Sequence, residues 1–261
     1  MTFENIRYEI VDHIAVIGLN RWPVNALSLE FIDEIIAALR QAGEDDKVRV
    51  VIIKSELDDI FCAGLEISAV KGVDGQGMRS FLERLYLELN DVQYRLGKPS
   101  IAAVEGAARA GGMTVAVSCN MVIAGESASF GYPEINVGLI PALHFVHLPR
   151  VAGRHRAFEY LFTGDDFGAV VAADLGIVNH VLPDGQVMDK AIELARKLAD
   201  KSPVVMKLGR DAYMRAVDGD YRRAVENVAE TMCNVVATED SAEGLAAFME
   251  KRPPKWQVPG R

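Results

Sequence analysis

The order of the predicted secondary structure constrains this chain more than any other feature of its sequence. Ser28 is a predicted N-cap for a helix whose apolar residues form a single stripe. Runs of β-branched and apolar residues on either side of such helical patterns predict buried strands, at residues 14–19, 48–54, 101–104 and 121–124. Strands that alternate with helices predict an α/β core.

The pattern becomes wholly helical towards the C-terminus. After a last predicted strand at 178–182, the apolar periodicity predicts helices at 186–200, 203–217, 221–237 and 239–251. We therefore predict a core over residues 1–200 and a helical region over residues 201–261, which packs on the core or covers a neighbouring subunit. Earlier in the chain, the glycine-bearing segment 70–78 shows no clear secondary-structure pattern.

Charge and cysteine content narrow the class of partner and compartment. The chain has 37 Asp and Glu against 28 Lys and Arg, a net charge of −9, which argues against binding nucleic acid or an anionic membrane. No uncharged run approaches the roughly 18 apolar residues that a membrane span needs. The three cysteines form no C-x-x-C pair, and the N-terminus lacks an apolar signal core, so we expect a cytoplasmic protein.

Two turns that contain glycine follow predicted strands, at residues 61–66 and 110–114. The second turn also opens a predicted helix. Free backbone N–H groups at such a turn, with the positive end of a helix dipole behind them, favour an anion. Either turn alone is also consistent with an ordinary change of chain direction. Neither matches a P-loop or a G-x-G-x-x-G motif, so no nucleotide-phosphate site of those kinds is predicted.

Glu134 lies within the otherwise apolar stretch 130–141. Apolar surroundings desolvate a carboxylate and raise its pKa, which makes it a better base near neutral pH. The alternative interpretation is that Glu134 forms a structural ion pair or caps a turn.

Several motifs together resemble the enoyl-CoA hydratase/isomerase (crotonase) superfamily in order and spacing, over nearly the whole chain. They are the segments 23–31, 61–66, 102–106 running into Gly111-Gly112, 130–138 and 248–252. The resemblance implies a crotonase fold, a spiral of ββα units followed by helices, assembled as a trimer or a dimer of trimers. It also implies an acyl-CoA thioester substrate and no metal or separate cofactor, with coenzyme A arriving as part of the substrate.

The same resemblance implies roles for particular residues. The backbone N–H groups of Leu65 and Gly111 would hold the thioester oxygen as it becomes an enolate, and Glu134 would be the acid–base group. Further substrate or coenzyme A contacts are expected at Ala63, Glu66, Ile67, Lys71, Thr114, Tyr132, His144 and Lys251.

One departure from the hydratase pattern bears on the reaction. Hydratases of this family use two glutamates, and the second position is Thr114 here, which cannot act as a base at neutral pH. Single-glutamate members, notably the Δ3,Δ2-enoyl-CoA isomerases, resemble this chain more closely. Moving a double bond from C3 to C2 needs one carboxylate and no water, so the sequence favours an isomerase.

Two alternatives stay open. A hydratase, a hydratase/lyase or a thioester hydrolase would use Glu134 with a water held by Thr114. A protein of another class would bind coenzyme A esters without converting them.

Overall fold

The computed structural model describes residues 3–70, 75–217 and 220–256. These residues form two β-sheets surrounded by helices. The strands are β1 Ile6–Val11, β2 Ile14–Leu19, β3 Val50–Ser55, β4 Ile60–Cys62, β5 Ser100–Val104, β6 Ala107–Arg109, β7 Met121–Gly125, β8 Ser129–Gly131, β9 Asp166–Gly168 and β10 His180–Leu182. The α-helices are α1 Leu29–Glu44, α2 Ile67–Val70, α3 Gly75–Leu82, α4 Leu89–Arg95, α5 Gly111–Ser118, α6 Ala142–Ala152, α7 Arg154–Thr163, α8 Ala169–Asp174, α9 Val187–Ala199, α10 Pro203–Val217, α11 Tyr221–Val236 and α12 Glu239–Met249.

The larger sheet has six strands in the order β1-β2-β3-β5-β7-β10. Only β1 runs antiparallel to its neighbour, and the other pairings are parallel. Its central strands are buried on both faces, which explains why they read as continuous apolar runs. Helix α9 covers one face with Val187, Ala191 and Ala195, and the other face belongs to the main hydrophobic core.

The smaller sheet has four strands in the order β4-β6-β8-β9, and β4, β6 and β8 are parallel. Three consecutive pairs of strands, β3 with β4, β5 with β6 and β7 with β8, each give their first strand to the larger sheet and their second to the smaller sheet. This repetition is the spiral of ββα units, and helices follow it, so the predicted α/β crotonase fold is confirmed.

Local predictions near the N-terminus are confirmed in detail. The Ser28 hydroxyl accepts a hydrogen bond of 3.3 Å from the Phe31 N–H and caps α1. The predicted apolar stripe of α1 is entirely buried, through Phe31, Ile32, Ile35, Ile36 and Leu39.

One local prediction needs correction. Gly75–Met78, which showed no pattern, belongs to helix α3, where Met78 is fully buried, so packing of that side chain outweighs the low helix propensity of the glycines. Between α3 and α4, Glu83–Glu88 forms a π-helical segment. Segments of this kind occur frequently at functional sites.

The C-terminal helices pack on the core of the same chain. Helix α11 contacts α3 and α6, and α12 contacts a 3-10 helix at Pro133–Val137. The contact with α12 is close, because a Cβ on Gly244 would lie 2.5 Å from the Val137 carbonyl oxygen. Contacts of this region with a neighbouring copy stay a prediction. Among the described helices, none is long and apolar enough to cross a membrane.

Candidate active site

The three segments that carry the predicted catalytic groups follow three neighbouring strands. Leu65 comes after β4, Gly111 after β6 and Glu134 after β8. Because these strands are parallel and adjacent, their carboxyl ends lie at one edge of the smaller sheet. The register of this sheet therefore brings together residues that are separated by up to about 70 positions in the sequence.

The two glycine-bearing turns are in direct contact. A Cβ on Gly64 would lie 3.1 Å from the Gly111 nitrogen and 2.9 Å from the Arg109 carbonyl oxygen, and Gly64 has a φ of +91°. A Cβ on Gly112 would lie 2.2 Å from the Cys62 carbonyl oxygen. Only glycine fits at these two positions, since any side chain would push the turns apart.

Two backbone N–H groups in these turns are free to bind a ligand. The neighbours of Leu65 are bonded to Leu27, because the Leu27 N–H donates to the Gly64 carbonyl at 2.7 Å and the Glu66 N–H donates to the Leu27 carbonyl at 3.0 Å. This pairing leaves the Leu65 N–H on the opposite side of the chain. Gly111 is the first residue of α5. Within the described residues, neither N–H donates a hydrogen bond.

Polar contacts hold the first turn in place. Asn25 is fully buried and its side-chain amide donates to the Phe61 carbonyl at 3.0 Å. Glu66 accepts hydrogen bonds from the Ser68 hydroxyl at 2.8 Å and from the Arg21 guanidinium at 2.6 Å, and these lower the pKa of its carboxyl group. Glu66 is therefore a carboxylate that supports the turn. Sequence reasoning gave Asn25 no role, although it stands within the motif 23–31.

Glu134 is buried in the 3-10 helix, and its Oε2 atom has no hydrogen-bond partner among the described residues. Burial raises the pKa of its carboxyl group to about 8. Burial and the nearby Glu134 charge also raise the pKa of the Tyr86 and Tyr132 hydroxyls. Among the described residues, Glu134 is the one buried carboxyl group, so the structural ion pair considered for it is absent there.

Thr114, where the resemblance implies a second glutamate in hydratases, lies beside an imidazole. Thr114 Oγ1 lies 3.3 Å from His144 Nε2, and both side chains are buried. The His144 ring lies 4.5 Å from the ring of Tyr132, between centroids. Burial, and secondarily His147, lower the pKa of His144 to about 3, so its imidazole is neutral. Neither group can supply a carboxylate.

For the other predicted contact residues, the structure gives only their local surroundings. The Ala63 N–H donates to the Val24 carbonyl at 3.1 Å, and Ile67 begins α2 with its side chain partly buried. Lys251 is exposed just after α12, and Lys71 lies outside the described residues. Their contacts with a substrate stay predictions. The described residues contain no group of three or more His, Cys, Asp and Glu side chains arranged to hold a metal ion.

Taken together, the fold and the site place two backbone N–H groups without a hydrogen-bond partner among the described residues in turns that follow neighbouring strands, and a buried carboxyl group after the next strand of the same sheet. In a scan against protein-family models, the model described as enoyl-CoA hydratase/isomerase matches residues 9–259. The chain belongs to the enoyl-CoA hydratase/isomerase family.

Individual relatives support this assignment. A probable enoyl-CoA hydratase 2 of mitochondria from Arabidopsis thaliana is 34% identical over 246 residues, which cover 92% of this chain and 80% of the relative. A mitochondrial methylglutaconyl-CoA hydratase from Mus musculus is 32% identical over 250 residues, which cover 94% of this chain and 79% of the relative. The crystal structure of an enoyl-CoA hydratase from Bacillus anthracis is similar with a TM-score of 0.78 at 32% identity, covering 97% of this chain and 99% of that one.

Proposed function

We propose that this protein acts on acyl-CoA thioesters and shifts the double bond of a 3-enoyl-CoA to C2, with Glu134 as its single acid–base group. The observation that carries the proposal is that Glu134 is the one buried carboxyl group among the described residues of the site. A hydration that follows the two-glutamate pattern would need a second carboxylate, and Thr114 takes that position.

The chemistry needs only groups of this chain. The Glu134 carboxylate takes a proton from C2, the electrons of that C–H bond form a C1–C2 double bond, and the carbonyl π electrons move onto the thioester oxygen, which gives a dienolate conjugated with the C3–C4 double bond. The Leu65 and Gly111 N–H groups donate hydrogen bonds to the thioester oxygen, where the negative charge accumulates. Glu134, now protonated, returns the proton to C4, which leaves the double bond between C2 and C3.

The surroundings of Glu134 suit this shuttle. Loss of one preorganised donor to an oxyanion costs about 2.7–4 kcal/mol in a known case, so two such donors contribute substantially to stabilising the dienolate. Tyr132 is fully buried and Tyr86 nearly so, and both lie close enough for the Glu134 charge to affect their pKa. A site that excludes water favours return of the proton over hydration.

Hydration is the second candidate, and one observation favours it. The Thr114 hydroxyl and the neutral His144 imidazole form a pair that can hold a water molecule as acceptor and donor. The relatives reported above are named hydratases. In this alternative, Glu134 activates the water that Thr114 and His144 position.

Several further properties belong to the same proposal. Ala63, Glu66, Ile67, Lys71 and Lys251 would contact the substrate or its coenzyme A moiety, and no other cofactor would be required. The protein would work in the cytoplasm as a trimer or a dimer of trimers.

The deciding experiment incubates purified protein with a 3-enoyl-CoA and with the matching 2-enoyl-CoA and follows both by chromatography and mass spectrometry. Isomerisation shifts the retention time without a change in mass, and this is the expected result with the 3-enoyl ester. Addition of one water to the 2-enoyl ester, with the 3-enoyl ester unchanged, would overturn the isomerase in favour of the hydratase.

A further inference from the structure

A cavity of about 750 Å³ lies between α4, α5, α6, α10 and α11. Its volume is in the range of small-molecule sites. None of the residues assigned above to the oxyanion or the acid–base role lines it, but Tyr86 does. Tyr86 stands on the π-helical segment, its hydroxyl hydrogen-bonds with the backbone of Leu143, and its pKa responds to the charge of Glu134. Tyr86 therefore lines this cavity and also lies near Glu134.

The charge of the cavity wall differs in sign from that of the whole protein. Three arginines, Arg95, Arg150 and Arg222, line the cavity against one carboxylate, Asp91, which pairs with Arg222. The wall thus carries an excess of positive charge in a chain whose net charge is −9. Such a wall attracts an anionic group.

One histidine in this wall has an unused hydrogen-bonding atom. His147 Nδ1 is shielded from solvent and has no partner among the described residues. Because this atom is shielded, the His147 imidazole faces the cavity through its other ring atoms.

His147 and Arg150 are one turn apart on α6 and present the two groups that a carboxylate needs. The Arg150 guanidinium lies over the Tyr221 ring at 4.9 Å, on the wall of the cavity. Residues separated by three positions lie on the same face of a helix. An arginine and a neutral imidazole N–H at this spacing can donate together to one carboxylate.

We propose that this cavity binds the distal end of the acyl group and that this end is a carboxylate, so that the substrates are ω-carboxyacyl-CoA thioesters. The acyl chain passes Tyr86, and its carboxylate accepts hydrogen bonds from Arg150 and His147. This inference rests on the proposed action on acyl-CoA thioesters, but it does not depend on which reaction follows.

The test measures binding, so that it does not depend on turnover. Saturated acyl-CoA esters of increasing length, each with a methyl end or a carboxylate end, are titrated into the protein by calorimetry. Beyond a threshold length, the carboxylate ester should bind about tenfold more tightly or better, the ratio expected for one charge-assisted hydrogen bond. Equal binding of the two series at every length would overturn the inference, whereas failure to bind either series would overturn the proposed function itself.

Two variants and a control locate the effect. Arg150→Gln and His147→Phe should each lower the preference for the carboxylate ester about tenfold and leave binding of the methyl ester unchanged. His147→Phe keeps an aromatic ring in the cavity wall, and its fold is checked by circular dichroism. Arg154→Gln, on α7 outside the cavity wall, should leave both series unchanged. If Arg150→Gln weakens both series equally, the arginine has a structural role and the inference is wrong.

Discussion

Thr114 Oγ1 lies 3.3 Å from His144 Nε2, and both side chains are buried. The two residues come from different helices, α5 and α6. The proposed hydration needs a water that this pair positions, and the proposed isomerisation does not, so a change at Thr114 distinguishes the two reactions.

Replacing Thr114 by valine removes the hydroxyl and keeps the shape of the side chain. If the protein is an isomerase, Thr114→Val should retain turnover within about threefold, whereas a water-dependent reaction should lose about 10²-fold or more. Initial rates on the 3-enoyl ester measure isomerisation, and initial rates on the 2-enoyl ester measure hydration. Thr114→Ser, which keeps the hydroxyl, is the control and should be active under either reaction. A large loss of isomerase activity in the valine variant alone would contradict a water-free mechanism.

Replacing Glu134 by glutamine removes the acid–base function without changing the size of the side chain. Glu134→Gln should lower kcat by about 10²- to 10⁴-fold, because no other buried carboxyl group among the described residues can take the proton. Binding of a saturated acyl-CoA should change little, since the Leu65 and Gly111 N–H groups remain. If binding is lost together with activity, Glu134 has a structural role.

The pH dependence of activity should report the pKa of Glu134. Burial raises this pKa to about 8, and the base is active only as the carboxylate. The kcat/KM value should therefore rise as the pH increases and level off above about pH 8. A profile that is already flat from pH 5 to pH 8 would mean that Glu134 is ionised throughout, contrary to its desolvated surroundings.

The same pKa makes the stability of the fold depend on pH. In the unfolded chain Glu134 loses its proton near the ordinary value of 4.5, whereas in the folded protein it keeps the proton up to about pH 8. The folded state binds more protons in this window, so its stability falls as the pH rises, by up to about 1.4 kcal/mol per pH unit. The Glu134→Gln variant has no carboxyl group at this position, so its stability does not fall with pH for this reason.

Urea unfolding at several pH values measures this difference. The advantage of Glu134→Gln over the unsubstituted protein should grow from pH 5 to pH 8 and then stay constant. A difference that does not vary with pH would show that the carboxyl group has an ordinary pKa.

Gly112 tests the close contact between the two turns. A Cβ at this position would lie 2.2 Å from the Cys62 carbonyl oxygen, so Gly112→Ala must move backbone and should cost about 1–3 kcal/mol or more, with loss of activity. Gly209→Ala is the matched control, because no atom lies within 4 Å of its added Cβ on α10, and it should stabilise the protein by about 0.5–1 kcal/mol. Urea unfolding compares the two variants. An alanine at position 112 with full stability and activity would mean that the turns are not in contact.

Much of the site could be predicted from the sequence, because the residues that form it stand in short motifs whose local polarity and glycine content are informative. The apolar residues around Glu134 predicted a desolvated carboxyl group, and its burial confirms this. The glycine turns predicted free N–H groups, and the structure places Leu65 and Gly111 accordingly. Asn25 was missed because its function, a hydrogen bond to the Phe61 carbonyl, depends on a partner 36 residues away.

The sequence by itself determined the order of strands and helices, the cap at Ser28 and the apolar setting of Glu134, since propensity, periodicity and side-chain polarity act over a few residues. Tertiary structure alone decided which of these segments meet. Pairing of β4, β6 and β8 brings the turns together, and the fold places His144 of α6 beside Thr114 of α5. These contacts join residues far apart in the chain, so they depend on the free energy of the whole packed core and not on any local pattern.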